Sequence, residues 1–233
     1  MNSRSLCAAH VLGLDESHLV QLPDSPHRLL PATAQAFCQM QQAARADGLD
    51  LALASSYRSF ARQQLIWDEK FQGRRPVLDA QSQPLDIRTW GDLARIQAIL
   101  RWSALPGTSR HHWGSDMDVY SPSLLPAGAS LRLEPWEYEA GGYFAELSHW
   151  LTHNMARFGF YRPFADDQGG VAIEPWHLSH GADSIRMAAL LTPETLSQAL
   201  SHSTLAGKAC ILEQLPLLWQ QFIAPTLPSG TAL

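Results

Sequence analysis

The chain has 233 residues, of which 45% are hydrophobic and 17% charged, a composition typical of a globular protein that buries its own core. Its formal net charge of −5 argues against a nucleic-acid-binding protein, because neutralising phosphates requires a basic face. No apolar run is long enough to span a bilayer.

The N-terminal apolar run, Leu6 to Leu14, is short, contains His10 and leads directly into two acidic residues. A secretory signal has a longer apolar region and a small-residue cleavage site, so we expect a cytoplasmic protein, with a periplasmic location as the alternative. The three cysteines are odd in number and far apart, which agrees with reduced thiols in the cytoplasm.

Helices and short strands follow one another without regular alternation. Apolar spacing, with proline or glycine at the boundaries, predicts helices over residues 31–48, 59–71, 91–102 and 143–158, and two more within 193–222, separated at Gly207. Apolar or alternating segments predict strands over 49–55, 115–121 and 170–177, and the polar stretch 73–88 predicts a surface loop. This order favours an α+β fold over a doubly wound parallel sheet.

Residues 109–120, SRHHWGSDMDVY, bring two histidines and two aspartates together around Gly114. A turn at this glycine would bring His111 back toward Asp118. In the predicted strand over 115–121, the alternation of side chains places Asp118 on one face of the sheet. Two ligands are too few for a zinc site, which needs about four. The best candidate for the rest is EPWH, where His177 would be a third ligand and Glu174 a base beside the metal.

A second histidine pair, His149 and His153, has the spacing of the zinc-binding HExxH motif. Trp150 stands where that motif requires its glutamate base. The two histidines also fall opposite the apolar side of the predicted helix, so we expect a solvated face there.

Three segments together resemble one enzyme family. GTSRHHWGSDMD is similar to the SxHxxGxxxD signature of the VanY-type D-alanyl-D-alanine carboxypeptidases, which are LAS-type zinc peptidases. EPWH is similar to that family's ExWH, and SSYRSFARQ is similar to its SxYRSxxxQ. The motifs occur in the family's order, and the resemblance covers about residues 30–180.

The resemblance implies a small antiparallel sheet that carries a zinc site, with helices packed around it. It implies Zn²⁺ bound by His111, Asp118 and His177, with Glu174 as the catalytic base. We expect a single domain over residues 1–233, with extensions at 1–30 and 184–233 that serve as a lid or an oligomer surface.

The resemblance also implies that Arg58, Gln63 and Ser109 contact the substrate. The planar guanidinium of Arg58 suits a C-terminal carboxylate, although a surface ion pair is its ordinary alternative. Ser109 has the alternative of bracing the turn, and only the spacing from Arg58 selects Gln63 over its neighbour Gln64.

The sequence leaves open the roles of three residues in or next to the motifs. Asp116 lies on the same strand face as Asp118 and is an orienting group, a partner of a substrate amine, or solvated. An adjacent histidine rarely reaches the same metal, so we expect His112 to support the site or its pocket. His180 is a candidate for the cleft wall.

The predicted function is release of C-terminal D-alanine from peptidoglycan stem peptides or muropeptides. We favour an LD-carboxypeptidase that trims tetrapeptides to tripeptides in cytoplasmic murein recycling, because a cytoplasmic enzyme meets muropeptides returning from the wall. The alternatives are a DD-carboxypeptidase acting on pentapeptides, a non-catalytic zinc-containing peptidoglycan-binding module and, less favoured because of Arg58, an endopeptidase.

Overall fold

The structure is a computed structural model that describes residues 5–167 and 169–228. The strands are β1 (Val20–Gln21), β2 (Arg28–Leu29), β3 (Ala52–Ser55), β4 (Val77–Leu78), β5 (Pro84–Leu85), β6 (Asp116–Tyr120), β7 (Phe160–Tyr161) and β8 (His177–His180). The helices are α1 (Ala8–Val11), α2 (Pro31–Ala46), α3 (Phe60–Phe71), α4 (Asp92–Leu100), α5 (Ala145–Asn154), α6 (Gly181–Ala188), α7 (Pro193–Ser201), α8 (Lys208–Glu213) and α9 (Leu215–Leu218). Within these residues, no helix has the length and apolar content to cross a bilayer.

The predicted α+β class is confirmed, and the four helices expected between residues 31 and 158 form where their boundary residues indicated. Pro31 begins α2, where a missing N–H costs nothing, and the Ser59 hydroxyl accepts a hydrogen bond from the Arg62 N–H at the start of α3. In the C-terminal part, Gly207 separates α7 from α8 as predicted, but α8 and α9 form two short helices where one was expected.

The strand predicted over 170–177 is wrong, because β8 begins at His177, where the prediction ended. Pro175 has no N–H to donate to a strand ladder, and the backbone N–H groups of Ala172 and Glu174 donate to the loop carbonyls of Arg101 and Phe164. The loop predicted over 73–88 also contains the small hairpin of β4 and β5.

A four-stranded antiparallel sheet of order β3-β6-β8-β7 forms the centre of the molecule. On β6, Met117 and Val119 point into an apolar core that α2 and α5 cover. Because side chains alternate along a strand, Asp116 and Asp118 point to the opposite face of the sheet. The candidate site residues lie on that face.

A second apolar core lies among the remaining helices. Val11 of α1, Trp67 of α3, Ile96 of α4, Leu196 of α7 and Ile211 of α8 are all fully buried in it. Both extensions of the chain therefore share a core with the region that carries the motifs.

Candidate active site

Strand register brings Asp118 and His177 together. The two residues are directly opposite on the antiparallel strands β6 and β8, where side chains on one face are neighbours. His177 Nδ1 lies 3.3 Å from Asp118 Oδ1. Two residues far apart in the chain thus become adjacent through backbone pairing alone.

His111 reaches the same place from a short 3₁₀ turn, Arg110–His112, before β6. Gly114 then reverses the chain with φ +72°, and a Cβ there would lie 2.3 Å from a methyl of Leu19. His111 Nδ1 lies 2.9 Å from the Ser56 carbonyl, so this nitrogen carries the proton. Nε2 is thereby left as an acceptor, 3.2 Å from Asp118 Oδ2.

The three side chains His111, Asp118 and His177 form a group that could hold a metal ion, with one ligand atom from each lying within 4.8 Å of the others. All three are buried. Asp118 Oδ1 is buried and has no hydrogen-bond partner among the described residues, a costly state that a cation would relieve. Burial raises the pKa of Asp118, but His111 and His177 hold it well below its usual range.

Asp116 orients the His177 ring from the Nε2 side, away from Asp118 and Glu174. Its Oδ1 lies 3.1 Å from His177 Nε2, which places the proton on that nitrogen and turns Nδ1 toward Asp118 and Glu174. Burial lowers the pKa of His177, yet the carboxylates of Asp116, Asp118 and Glu174 around its ring raise it well above its usual value. The pocket therefore favours positive charge.

Arg110 keeps Asp116 ionised in this buried position. Its Nε donates to Asp116 Oδ1 at 2.7 Å, and its other nitrogens donate to Tyr161, Ser179 and the Thr226 carbonyl. Burial alone would raise the pKa of Asp116, but Arg110 and His177 lower it to about 2. Every terminal nitrogen of Arg110 is thus bound within the protein, so its role is to hold the site together.

Glu174 stands beside the three-residue group and faces a cavity of about 440 Å³. Its Oε2 lies 3.3 Å from His177 Nδ1, and its side chain is 14% exposed. The ring of Phe164 packs edge-on against His177, and Trp176 is buried and also lines the cavity. The volume is within the range of small-ligand sites, and the carboxylate lies where a ligand at the three-residue group would contact it.

Arg58 lines the same cavity, and Gln63 holds its guanidinium. Arg58 Nη1 donates to Gln63 Oε1 at 2.8 Å, and Gln63 Nε2 donates to the Ala104 carbonyl at 2.7 Å. Gln63 is fully buried and is not among the residues that line the cavity. In this geometry Gln63 acts through Arg58, while Arg58 itself is exposed to an incoming ligand.

Ser109 lines the cavity and is 2% exposed. Its hydroxyl does not cap the 3₁₀ turn that follows it, while its carbonyl accepts a hydrogen bond from the His112 N–H at 2.9 Å. Its predicted contact with the substrate therefore stays a prediction.

The remaining histidines have structural or solvated positions. His112 is fully buried, with Nδ1 donating to the Arg58 carbonyl and Nε2 accepting from the Gly107 N–H, and burial lowers its pKa to about 3. His112 therefore fixes the backbone that presents Arg58. His180 pairs with Asp183 away from the cavity, and His149 and His153 are exposed as predicted.

The C-terminal extension supplies one wall of the cavity. Phe222, Ile223 and Thr226 line it, and the Thr226 carbonyl accepts a hydrogen bond from Arg110 at 2.6 Å. The sequence predicted no role for Arg110, and for the extension 184–233 it predicted only a lid or an oligomer surface. The two-residue spacing of Asp116 and Asp118 indicated that they share a face of the strand. No local sequence pattern indicated that the C-terminal extension forms a wall of the cavity.

Comparisons with known proteins agree with this geometry. A family model described as VanY, D-alanyl-D-alanine carboxypeptidase, matches residues 26–183. A Haemophilus influenzae protein of uncharacterized function is 41% identical over 121 residues, which are 51% of this chain and 92% of that protein.

Two solved structures are similar in fold and in sequence. A variant of the vancomycin-resistance D,D-pentapeptidase VanY from a VanB-type cassette, in complex with Zn(II), has a TM-score of 0.51 and 28% identity, covering 78% of this chain and 90% of that chain. The LdcB LD-carboxypeptidase has a TM-score of 0.50 and 26% identity, covering 76% of each chain.

Proposed function

We propose a function from one premise, which is that the chain belongs to the VanY family of D-alanyl-D-alanine carboxypeptidases. Family membership confirms the resemblance carried by the three sequence motifs. The proposed activity is zinc-dependent release of the C-terminal D-alanine from peptidoglycan stem peptides.

The buried group of His111, Asp118 and His177, with Glu174 beside it, is the observation that supports this proposal most strongly. Two imidazole nitrogens and one carboxylate are ligands that zinc accepts, and three protein ligands leave one position open for catalysis. The unpartnered Asp118 Oδ1 fits such an ion. The VanY structure that the chain resembles contains Zn(II).

Bound zinc would supply a Lewis acid that activates water and polarises the scissile carbonyl. Glu174 is placed to take the proton of the attacking water and to return it to the leaving amine. Arg58, held by Gln63, would bind the terminal carboxylate through two parallel hydrogen bonds. Asp116 keeps His177 in the required tautomer throughout, and the Phe164 and Trp176 rings limit the access of bulk water.

We further propose LD specificity, in which the bond cut joins the L-centre of a diamino acid to D-alanine. In a tetrapeptide a long, charged side chain precedes the scissile bond, whereas in a pentapeptide that position is the methyl group of D-alanine. The cavity of about 440 Å³ is lined beyond the metal group by Lys70, Arg75 and Glu134, which suits the long side chain. DD activity is the alternative.

A role in cytoplasmic recycling of muropeptides completes the proposal. In its support, two residues of the N-terminal apolar run, Val11 and Leu12, are buried in the core. Fractionation of cells that express the tagged native gene tests this location.

The activity is tested by offering the zinc-loaded protein tetrapeptide and pentapeptide muropeptides and identifying the products by mass. Wild type should release D-alanine from the tetrapeptide, and Glu174→Gln should keep its zinc and lose the release. Glu146→Gln, at an exposed position on α5, is the matched control. Release from the pentapeptide alone would transfer the assignment to a DD-carboxypeptidase. Zinc binding with no release from either peptide would support the peptidoglycan-binding module.

A further inference from the structure

Two of the cations that line the cavity, Arg58 and Lys70, are partly buried and bind only neutral groups of the protein, whereas a further lining residue, Arg132, is exposed. Arg58 donates to Gln63 and to the Ser55 hydroxyl, and Lys70 Nζ donates to the Ser103 hydroxyl at 2.7 Å. Neither forms an ion pair within residues 5–167 and 169–228, whereas the cavity arginines Arg75 and Arg110 are paired with Glu69 and Asp116. Two partly buried positive charges are thus available to a ligand.

Lys70 is a costly group to keep unpaired. It lies in the last turn of α3 and contributes to the cavity wall together with the apolar side chains of Ile66, Leu78 and Leu100. Burial lowers the pKa of its ammonium to about 8, although Glu174 raises it in part. A partly buried cation without an anion is unfavourable, so an anionic ligand group would be stabilised at this position.

We propose that Lys70 binds a second carboxylate of the substrate, on a residue upstream of the scissile bond, while Arg58 binds the terminal carboxylate. The inference rests on the proposed function, because it assigns the orientation of a stem peptide in the cavity. Both cations line the same cavity as Glu174, so a peptide bound in this cavity has both of them in its surroundings.

A stem peptide offers this second carboxylate from two sources. One is the α-carboxylate of its γ-linked glutamate, and the other is a carboxylate on the side chain of the diamino acid. Four tetrapeptides separate these sources, with neither, one, the other or both of the carboxylates converted to the carboxamide.

The experiment measures kcat/KM for each peptide and, separately, binding to Glu174→Gln, which keeps the cavity but does not cleave. Trp102 and Trp176 line the cavity, so their fluorescence reports binding without catalysis. A charge-assisted hydrogen bond predicts that amidation of the recognised carboxylate weakens binding by about tenfold or more. Amidation of the other carboxylate should have little effect.

The sequence has two lysines, Lys70 and Lys208, so the second can serve as the control for substitutions of the first. Lys70→Gln should remove the preference for the free carboxylate, and Lys70→Arg should retain most of it. Lys208→Gln, at the start of α8, should leave the preference unchanged. Circular dichroism and unfolding of each variant show whether it is folded.

Equal binding of the free and amidated peptides by wild type, or an unchanged preference in folded Lys70→Gln, would overturn the inference. Selective binding that depends on Lys70, with no release of D-alanine from any peptide, would overturn the proposed function and leave this subsite standing.

Discussion

Replacement of Asp116 by asparagine should weaken zinc binding although Asp116 is not a ligand. Asparagine has the same shape and keeps one acceptor oxygen, but it removes the charge that His177 Nε2 and Arg110 Nε face at 3.1 and 2.7 Å. Loss of such an orienting group costs about 10- to 100-fold in metal affinity, or roughly 1.4–2.7 kcal/mol. Arg110 would also be left buried without its carboxylate, which predicts a loss of about 3–5 kcal/mol in the free energy of unfolding.

Zinc affinity is measured by competition with a chromophoric chelator, and the free energy of unfolding by urea titration. Asp24→Asn is the control, since Asp24 is exposed and its φ of 51° is one that asparagine also tolerates. Asp118→Asn, a change in a proposed ligand, should reduce affinity more than Asp116→Asn does. If folded Asp116→Asn binds zinc within about twofold of wild type, the orienting role of Asp116 is wrong.

Three further outcomes are expected. Glu174→Gln should retain zinc and lower kcat by about 10²- to 10⁴-fold, and an equal loss of zinc would instead point to a ligand role. Gln63→Leu should lower kcat/KM by about 10- to 100-fold through misplacement of Arg58, and an unchanged value in a folded variant would contradict the contact at 2.8 Å. His112 has its pKa lowered from 6.5 to about 3, so the unfolded chain takes up its proton first and stability is lost as pH falls below about 6.5. Between pH 7 and pH 5 the free energy of unfolding should fall by about 2 kcal/mol through this group, at about 1.36 kcal/mol per pH unit. In urea titrations at the two pH values, His112→Asn should lack this part of the decrease.

Local sequence determined most of the helices and the strand that presents the site. Proline, serine and glycine at helix boundaries act within a few residues, so the limits of α2 and α3 could be predicted without knowing any tertiary contact. The alternation on β6 likewise placed Asp116 and Asp118 on one face, and the motifs indicated His111, His177 and Glu174.

Only the tertiary structure decided which role each of these residues has. Asp116 and Asp118 share a face and a residue type, and their roles differ because strand register places Asp118 opposite His177 Nδ1 while Arg110 and His177 Nε2 enclose Asp116. The partners of Lys70 and the cavity wall formed by Phe222 and Ile223 depend on the packing of distant segments. Contacts of this kind form between residues far apart in the chain, so the spacing of residues along the sequence does not predict them.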